Sequence, residues 1–467
     1  VTERLIVIGG DAAGMSAASQ ARRLRKESEL EIIAFEKGEF TSYSACGTPY
    51  LVGKVVEDYQ DLISRTPEEH RERGIDVRIG HEVTEIDTEA RTVTVLDAVV
   101  GSESTHAYDE LLIATGAKPL RPPLQGVDGH GIFGLQNLTD GIALRTFIDA
   151  EQPEHAVVIG GGYIGLELAE ALVLRKVHTT LVDHAEQPMT TLDPDMGSIV
   201  ADALKGLGVD LRLSESVLGF DLDDAGHVKG VRTASGTIPA DVVVLGVGVR
   251  PNSGLAQASG IPVGASGGIT VDRRMHTPVD HVWAAGDCVE TFHRVSREQV
   301  AIALGTHANK QGVVAGTNIG GGYLTFPGVI GTAATKVCSW EIARTGLREA
   351  DAKKAGFQTV AATVDSTTRA GYYPDSQPIK VRIVAEQVSG RILGGQIIGT
   401  EGAAKRIDVL AVAIWNEMTA GELMMTDLSY TPAVGPVWDP VLQAARIAYR
   451  EASGLTAGGT AWSTAPT

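Results

Sequence analysis

The stretch AVVIGGGYIGLE, residues 156–167, decides the fold. Ala156 to Ile159 read as a buried strand, and a glycine turn leads into a helix. Gly160, Gly162 and Gly165 keep the full Gly-x-Gly-x-x-Gly spacing. The first glycine allows the tight turn and the second lets a pyrophosphate approach the backbone. The third lets helix and strand pack closely. Such a turn presents unpaired N–H groups and the positive end of a helix dipole to an anion. The next strand, TTLVD, ends in Asp183, about 20 residues further on. A carboxylate there can accept from a ribose 2′-hydroxyl and repels a 2′-phosphate, which favours NADH over NADPH. His184 beside it softens that preference and leaves NADPH open.

Working outward, residues 4–14, RLIVIGGDAAG, repeat the pattern with Gly9, Gly10, Ala12, Ala13 and Gly14. Asp11 stands where the middle glycine would be, so its side chain must point away from the phosphates. The second strand of this unit, ELEIIAFEK, ends in Glu36 and Lys37. Two such units predict two bound dinucleotides. Three further strands end in small residues: YDELLIATGAKP (108–119), ADVVVLGVGVRPN (240–252) and TPVDHVWAAGDCVE (277–290). The fold class is α/β, with two Rossmann-like dinucleotide-binding domains and a further C-terminal region.

A chain of 467 residues exceeds one ordinary core, so several domains are expected. The net charge of −18 repels nucleic acid and anionic membranes, and neither is an expected partner. Cys46, Cys288 and Cys338 carry no Cys-x-x-Cys spacing, which argues against a disulfide scaffold or a thiolate zinc site. No histidine/carboxylate cluster has ligand spacing, so no metal is expected. The chain enters a strand at once and holds no apolar run of membrane-spanning length, giving a cytoplasmic expectation.

With these motifs in order, the chain resembles the pyridine nucleotide–disulfide oxidoreductases, flavoproteins with two dinucleotide-binding domains. The resemblance implies FAD and NADH as cofactors, with NADPH possible. It implies an FAD domain (1–119 and 250–322) interrupted by an NAD(P)H domain (120–249). An α+β dimerisation domain (323–452) and a flexible tail (453–467) follow. The nucleotide-binding residues it implies begin with Gly9, Gly10, Ala12, Ala13, Gly14, Glu36, Lys37, Ser44, Cys46 and Val83. Ala114, Thr115, Gly116, Gly286 and Asp287 complete the flavin side, Asp287 at the ribitol and pyrophosphate. For the nicotinamide nucleotide they are Gly160, Gly162, Tyr163, Ile164, Gly165, Glu167, Asp183 and Gly248. Tyr163 would shield the flavin and Glu167 would meet the nicotinamide amide.

SYSACGTPY, residues 42–50, sets the branch. Dithiol members use Cys-x4-Cys, but five residues either side of Cys46 stand Thr41 and Leu51. The stretch is similar to the single-cysteine branch, which holds coenzyme A-disulfide reductases, persulfide reductases, NADH oxidases and NADH peroxidases. A cysteine at a helix N-terminus has its thiol pKa lowered, and Pro49 suits a first helical turn. Many oxidases and the peroxidases place a histidine where this chain has Ala12, which removes their proton-transfer partner. Cys288 reads as packing, and Cys338 as a buried strand residue. Segments around AGYYPDSQPIKVRI and DLSYTPAVGPVWDPV are similar to the dimerisation domain. They imply a homodimer in which the partner subunit completes the active site. Tyr430 would then donate to the departing thiolate, and Tyr372 or Tyr373 would contact substrate. Arg22, in a basic run, would reach the phosphates of a CoA-like substrate. The expected activity is FAD-dependent reduction of a small-molecule thiol disulfide or persulfide by NAD(P)H, through Cys46. Alternatives are an NADH oxidase using oxygen through a Cys46 sulfenic acid, and an electron-transfer flavoprotein with a protein acceptor.

Overall fold

Continuous Val/Ile/Leu runs become strands buried on both faces, as parallel sheets covered by helices require. In the computed structural model, which describes residues 2–454, the chain divides into two compact units. The expected tail lies, beyond Gly454, outside the described residues. The first unit comprises Val1–Glu186, Gly208–His293 and Glu298–Val329. The second comprises Gln187–Leu207, Arg294–Arg297 and the chain from Ile330 on.

Two parallel five-stranded sheets organise the first unit. One runs Val282–Ala284, Glu110–Ile113, Glu3–Ile8, Leu30–Glu36 and Asp76–Ile79. The other runs Asp210–Arg212, His178–Val182, His155–Ile159, Val242–Leu245 and Ile132–Gly134. Leu5, Ile6, Val7, Val157 and Val158 are fully buried at their centres. Helix Ala12–Leu24 follows the first glycine turn and helix Tyr163–Leu174 follows the second. Helix Gly305–Ile319 lies against the former almost backbone to backbone. A Cβ on Gly312 would stand 2.3 Å from the Ala13 carbonyl oxygen, and one on Gly316 2.2 Å from that of Ala17. Two small antiparallel sheets, one over His81–Asp87, Thr92–Asp97 and Ser102–Ala107 and one over Val217–Leu222, Val228–Thr233 and Gly236–Pro239, were not foreseen.

The second unit is built on an antiparallel sheet in the order Ala333–Val337, Trp340–Gly346, Ile392–Gly399, Pro378–Glu386, Thr359–Thr367. Helices Ile407–Trp415 and Pro440–Ala452 complete its core. Residues 187–207, drawn from the stretch read as NAD(P)H-binding, also pack in this unit. Their anchor is the buried Asp193 carboxylate, which accepts from Gln396 Nε2 at 2.7 Å and Arg382 Nε at 3.0 Å. Cys338 corrects an expectation. It occupies the turn between Ala333–Val337 and Trp340–Gly346 with φ +54°, because a two-residue hairpin connection needs left-handed backbone there. Among the described residues no helix is long and apolar enough to cross a membrane, and no group of histidine, cysteine and acidic side chains is disposed to hold a metal.

Candidate active site

The two glycine turns of the first unit are near copies. Gly9 has φ +107° and Gly160 φ +101°, and a Cβ there would stand 2.2 Å from the Ala114 carbonyl oxygen or 2.5 Å from that of Gly246. Gly14 and Gly165 close each turn, a Cβ on either falling within 2.0 Å of the carbonyl oxygen of Gly9 or Gly160. The acid then locks the loop. Glu36 accepts from the N–H of Gly10 at 2.8 Å and of Gly38 at 2.7 Å. Asp183 accepts from Gly161 at 2.6 Å and Ala185 at 2.8 Å. The middle position separates them: Gly162 faces open space, whereas Asp11 turns its carboxylate to the Tyr43 N–H at 3.3 Å.

Around the first turn, Thr115 and Asn252 cross-link two strand ends. The Thr115 hydroxyl donates to the Asn252 carbonyl at 2.7 Å, and the Asn252 amide donates back to Thr115 at 3.3 Å. Gly116 and Gly248, at φ +67° and +96°, leave little or nothing within 4 Å of a Cβ, so neither is packed against its surroundings. Gly286 donates its N–H to the buried Gln311 side chain at 2.8 Å. Asn252 and Gln311 were missed from sequence, although Asn252 closes the motif ADVVVLGVGVRPN. Asp287 follows with its Oδ1 buried and without a hydrogen-bond partner. Leaving such an acceptor unsatisfied costs roughly 1–3 kcal/mol, so the pocket fits a ligand that brings hydroxyl donors, as a ribitol chain does. Burial pushes the Asp287 carboxyl up to about 6, against a lowering contribution from the Leu304 backbone. Burial likewise raises Asp11 to about 6; the Tyr43 N–H opposes this and Glu36 adds to it.

Cys46 sits between these two nucleotide turns on a stapled loop. The Thr41 hydroxyl and the Ser42 N–H both donate to the Gly10 carbonyl, the latter at 3.2 Å, and Ser44 N–H donates to Leu62 at 2.8 Å. Beyond the cysteine, helix Thr48–Val52 docks on helix Tyr163–Leu174. Arg175 caps the Val52 carbonyl at 3.1 Å, and Arg145 holds those of Leu51 and Val56 at 3.3 and 3.1 Å. Here the structure corrects the expected thiol activation. Cys46 lies in the 3-10 turn Ala45–Gly47, and the helix beyond has only five residues, too short for a substantial dipole. Although Cys46 reaches solvent, burial around the sulfur pushes its pKa up, and the carboxylates of Glu167 and Asp287 push it further. The same neighbours mark its place: one carboxylate belongs to the helix after the second glycine turn, the other to the Gly286-Asp287 pair.

The remaining expected residues divide. Tyr163 and Ile164 open the second helix, Ala12 and Ala13 the first, and Lys37 and Ser44 are exposed at loop positions. Val83 buries its side chain with Ile8, Phe35 and Val95, so only its backbone can face a nucleotide. Arg22 is a correction. Its guanidinium donates to the carbonyls of Gly74, Arg25 and Leu30 at 3.2, 3.1 and 2.6 Å, which ties the helix end and does not leave it for phosphates. Arg23 and Lys26 are the exposed basic residues of that run. Cys288 is fully buried, its S–H directed at the Ala285 carbonyl 3.3 Å away, and burial pushes it up to about 11. Tyr372, Tyr373 and Tyr430 are exposed on the second unit. Partial desolvation and then the Tyr372 hydroxyl raise the Tyr430 pKa.

Two nucleotide cradles of this build with one thiol between them define a flavin- and pyridine-nucleotide-dependent oxidoreductase. The chain belongs to the pyridine nucleotide-disulphide oxidoreductase family, whose model matches residues 3–312, with the family's dimerisation domain over 332–440. It is 38% identical to a Pyrococcus abyssi NAD(P)H sulfur oxidoreductase (CoA-dependent), over 96% of this chain and 98% of that one. A Methanocaldococcus jannaschii NADH oxidase is 34% identical, with 96% and 99% covered. The solved structure of an NAD-dependent persulfide reductase from A. fulgidus superposes with TM-score 0.93 at 38% identity, over 97% of this chain and 84% of that one.

Proposed function

We propose that this protein uses NADH and FAD to reduce the disulfide or persulfide bond of a small CoA-type thiol, with Cys46 as the reacting group. The observation that carries this is the position of Cys46, on a loop stapled to the Gly10 carbonyl of the first glycine turn and continued by a helix that docks on the helix of the second. No second cysteine accompanies it, so the exchange partner is the substrate's own sulfur.

As a thiolate, Cys46 attacks one substrate sulfur; a Cys46–substrate S–S bond forms, the substrate S–S bond breaks, and one thiol leaves with a proton from water or Tyr430. Gly9, Gly10, Ala13, Gly14, Glu36, Thr115, Gly116 and Asp287 would hold FAD, which would supply the electron pair, taken from NADH, for splitting the mixed disulfide, so that the second thiol leaves and Cys46 returns as a thiolate. Asp183 would face the adenosine ribose of NADH. Its two oxygens are already set by the Gly161 and Ala185 N–H groups, so a 2′-phosphate would meet a fixed negative charge. Gly162 leaves room for the pyrophosphate. In the homodimer, Tyr430 of one protomer serves Cys46 of the other, and Tyr372 and Tyr373 line the same entrance.

The similarity to an NADH oxidase supports a second reading, in which oxygen oxidises Cys46 to a sulfenic acid. Ala12 argues against it, since a methyl group there moves no proton. The deciding experiment measures NADH consumption with CoA disulfide, CoA persulfide and oxygen for the wild-type enzyme and Cys46→Ser. We expect sulfur substrates to outrun oxygen, and the variant to lose at least about a thousandfold of that rate. Faster turnover with oxygen, or an unimpaired variant, rejects the proposal.

A further inference from the structure

The stapled loop that delivers Cys46 has a second anchor outside the two nucleotide turns. Ser42 adopts φ +51°, a left-handed conformation that a side-chain-bearing residue enters only at a cost in strain. Its Oγ lies 2.9 Å from Nε2 of His70. His70 is completely buried, on the short helix Pro67–Arg71, and its Nδ1 has no hydrogen-bond partner. A buried imidazole that loses its water at one nitrogen is retained more economically with that nitrogen bare and the proton on Nε2. His70 then donates to Ser42. The helix bearing it is itself fixed by a capping box, Thr66 N–H to Glu69 at 2.9 Å and Glu69 N–H to Thr66 Oγ1 at 3.3 Å. Burial, with Arg65 and Arg73 nearby, depresses the imidazole to about 4, so it stays neutral across ordinary pH.

Ser42 is also clamped through its backbone. Its N–H donates to Gly10 at 3.2 Å, inside the first nucleotide turn, and its carbonyl accepts from Ser64 at 2.7 Å. The left-handed turn at Ser42 therefore sets the direction in which the chain leaves that turn, and Cys46 follows four residues later. We propose that His70 is a positioning residue for the reacting thiol, holding Ser42 in its left-handed turn so that the loop presents Cys46 between the two nucleotide sites. An apolar side chain would fill the same buried space with no orphaned nitrogen. The imidazole is therefore explained by the bond it makes to Ser42. The inference rests on Cys46 being the reacting group, as in the function proposed above.

The test uses the flavin-loaded full-length enzyme and four variants: His70→Phe, His70→Gln, Ser42→Ala and the His70→Phe/Ser42→Ala double. Two readouts are taken, the steady-state constants and the rate at which iodoacetamide labels the Cys46 peptide, followed by mass spectrometry. Loss of positioning lowers kcat about tenfold while KM for NADH and flavin content hold, since misplacing a reacting atom by a fraction of an ångström is enough. Labelling becomes about threefold faster as the loop opens locally. Because the two residues act through one bond, the double variant behaves like either single one. His70→Gln, which keeps a donor at similar reach, stays near wild type. Unchanged labelling in both His70→Phe and Ser42→Ala, additive effects in the double, or His70→Gln as impaired as His70→Phe would overturn the inference. Should His70→Phe fail to fold, Ser42→Ala and His70→Gln decide it alone. The labelling readout does not need turnover, so a failure of the proposed function, seen as an active Cys46→Ser, remains distinguishable.

Discussion

At the scale of single residues, three carboxylates set the titration behaviour around Cys46 and the first glycine turn. Glu167 and Asp287 oppose ionisation of Cys46, after burial itself. Replacing Glu167 by Gln removes one negative neighbour, so the pH midpoint for alkylating Cys46 in the flavin-free protein moves to lower pH; an upward shift would contradict the assigned cause. Asp11 is the other case. Its carboxyl, raised by burial to about 6 from 3.8, binds its proton more tightly folded than unfolded. Its contribution to stability is full below the unfolded value and is lost as pH rises through about 6. Asp11→Asn should therefore gain on the order of 1–3 kcal/mol over wild type in the flavin-free protein at pH 7, and that advantage should vanish near pH 4. Urea titrations at the two pH values measure it. At this scale the sequence was a partial guide. Cys46 stands out by its small polar neighbours, but its pKa could not be read, because the opposing carboxylates come from residues far along the chain. Arg22 misled for a similar reason: nothing local tells that its guanidinium is consumed by carbonyls 3, 8 and 52 residues away.

At the scale of elements, the two strand–turn–helix units were legible because each glycine has a single steric task. The tasks differ, which gives a paired prediction. Gly160→Ala forces a Cβ into left-handed backbone, 2.5 Å from the Gly246 carbonyl oxygen, and should cost roughly 1–3 kcal/mol of stability. Gly162→Ala meets nothing within 4 Å and should fold normally. Its methyl group instead enters the space left for a pyrophosphate, so KM for NADH should rise about tenfold while stability stays within about 0.5 kcal/mol. Thermal melts and steady-state kinetics on both variants separate the cases. At Ala45–Val52 a helix does begin just after the cysteine, with Pro49 in its first turn, but Cys46 itself lies in a 3-10 turn and the helix has only five residues. A Gly-x-Pro signal marks a chain reversal but carries no information on length. The antiparallel ribbons and the Cys338 hairpin escaped because their alternating, half-exposed strands carry weaker patterns than the buried parallel ones.

At the scale of the whole molecule, the order of the motifs along the chain foretold two nucleotide-binding sheets and a further C-terminal unit. Where the chain crosses between compact units was not legible, since residues 187–207 fell inside the stretch 120–249 read as NAD(P)H-binding. The C-terminal unit exposes Met425, Val434, Val437 and Trp438, large apolar side chains that a protein with a family dimerisation domain has reason to cover. A glutamate at Val437 should shift the protein toward monomer in sedimentation velocity and, if the partner completes the site, reduce turnover in proportion. A variant that stays dimeric would move the contact elsewhere.

The Asp193 anchor has a practical corollary for anyone wishing to dissect this enzyme. A truncated gene ending before Ile330 would encode both glycine turns and the thiol, yet would strand helix Pro194–Gly206 without Arg382, Gln396 or the strand Ile392–Gly399 beneath it. Met196, Val200 and Leu204 would be bared to water, and such a fragment should precipitate instead of yielding a miniature flavoprotein. Domain-swapping or split-protein engineering must therefore cut elsewhere, or carry the C-terminal sheet along.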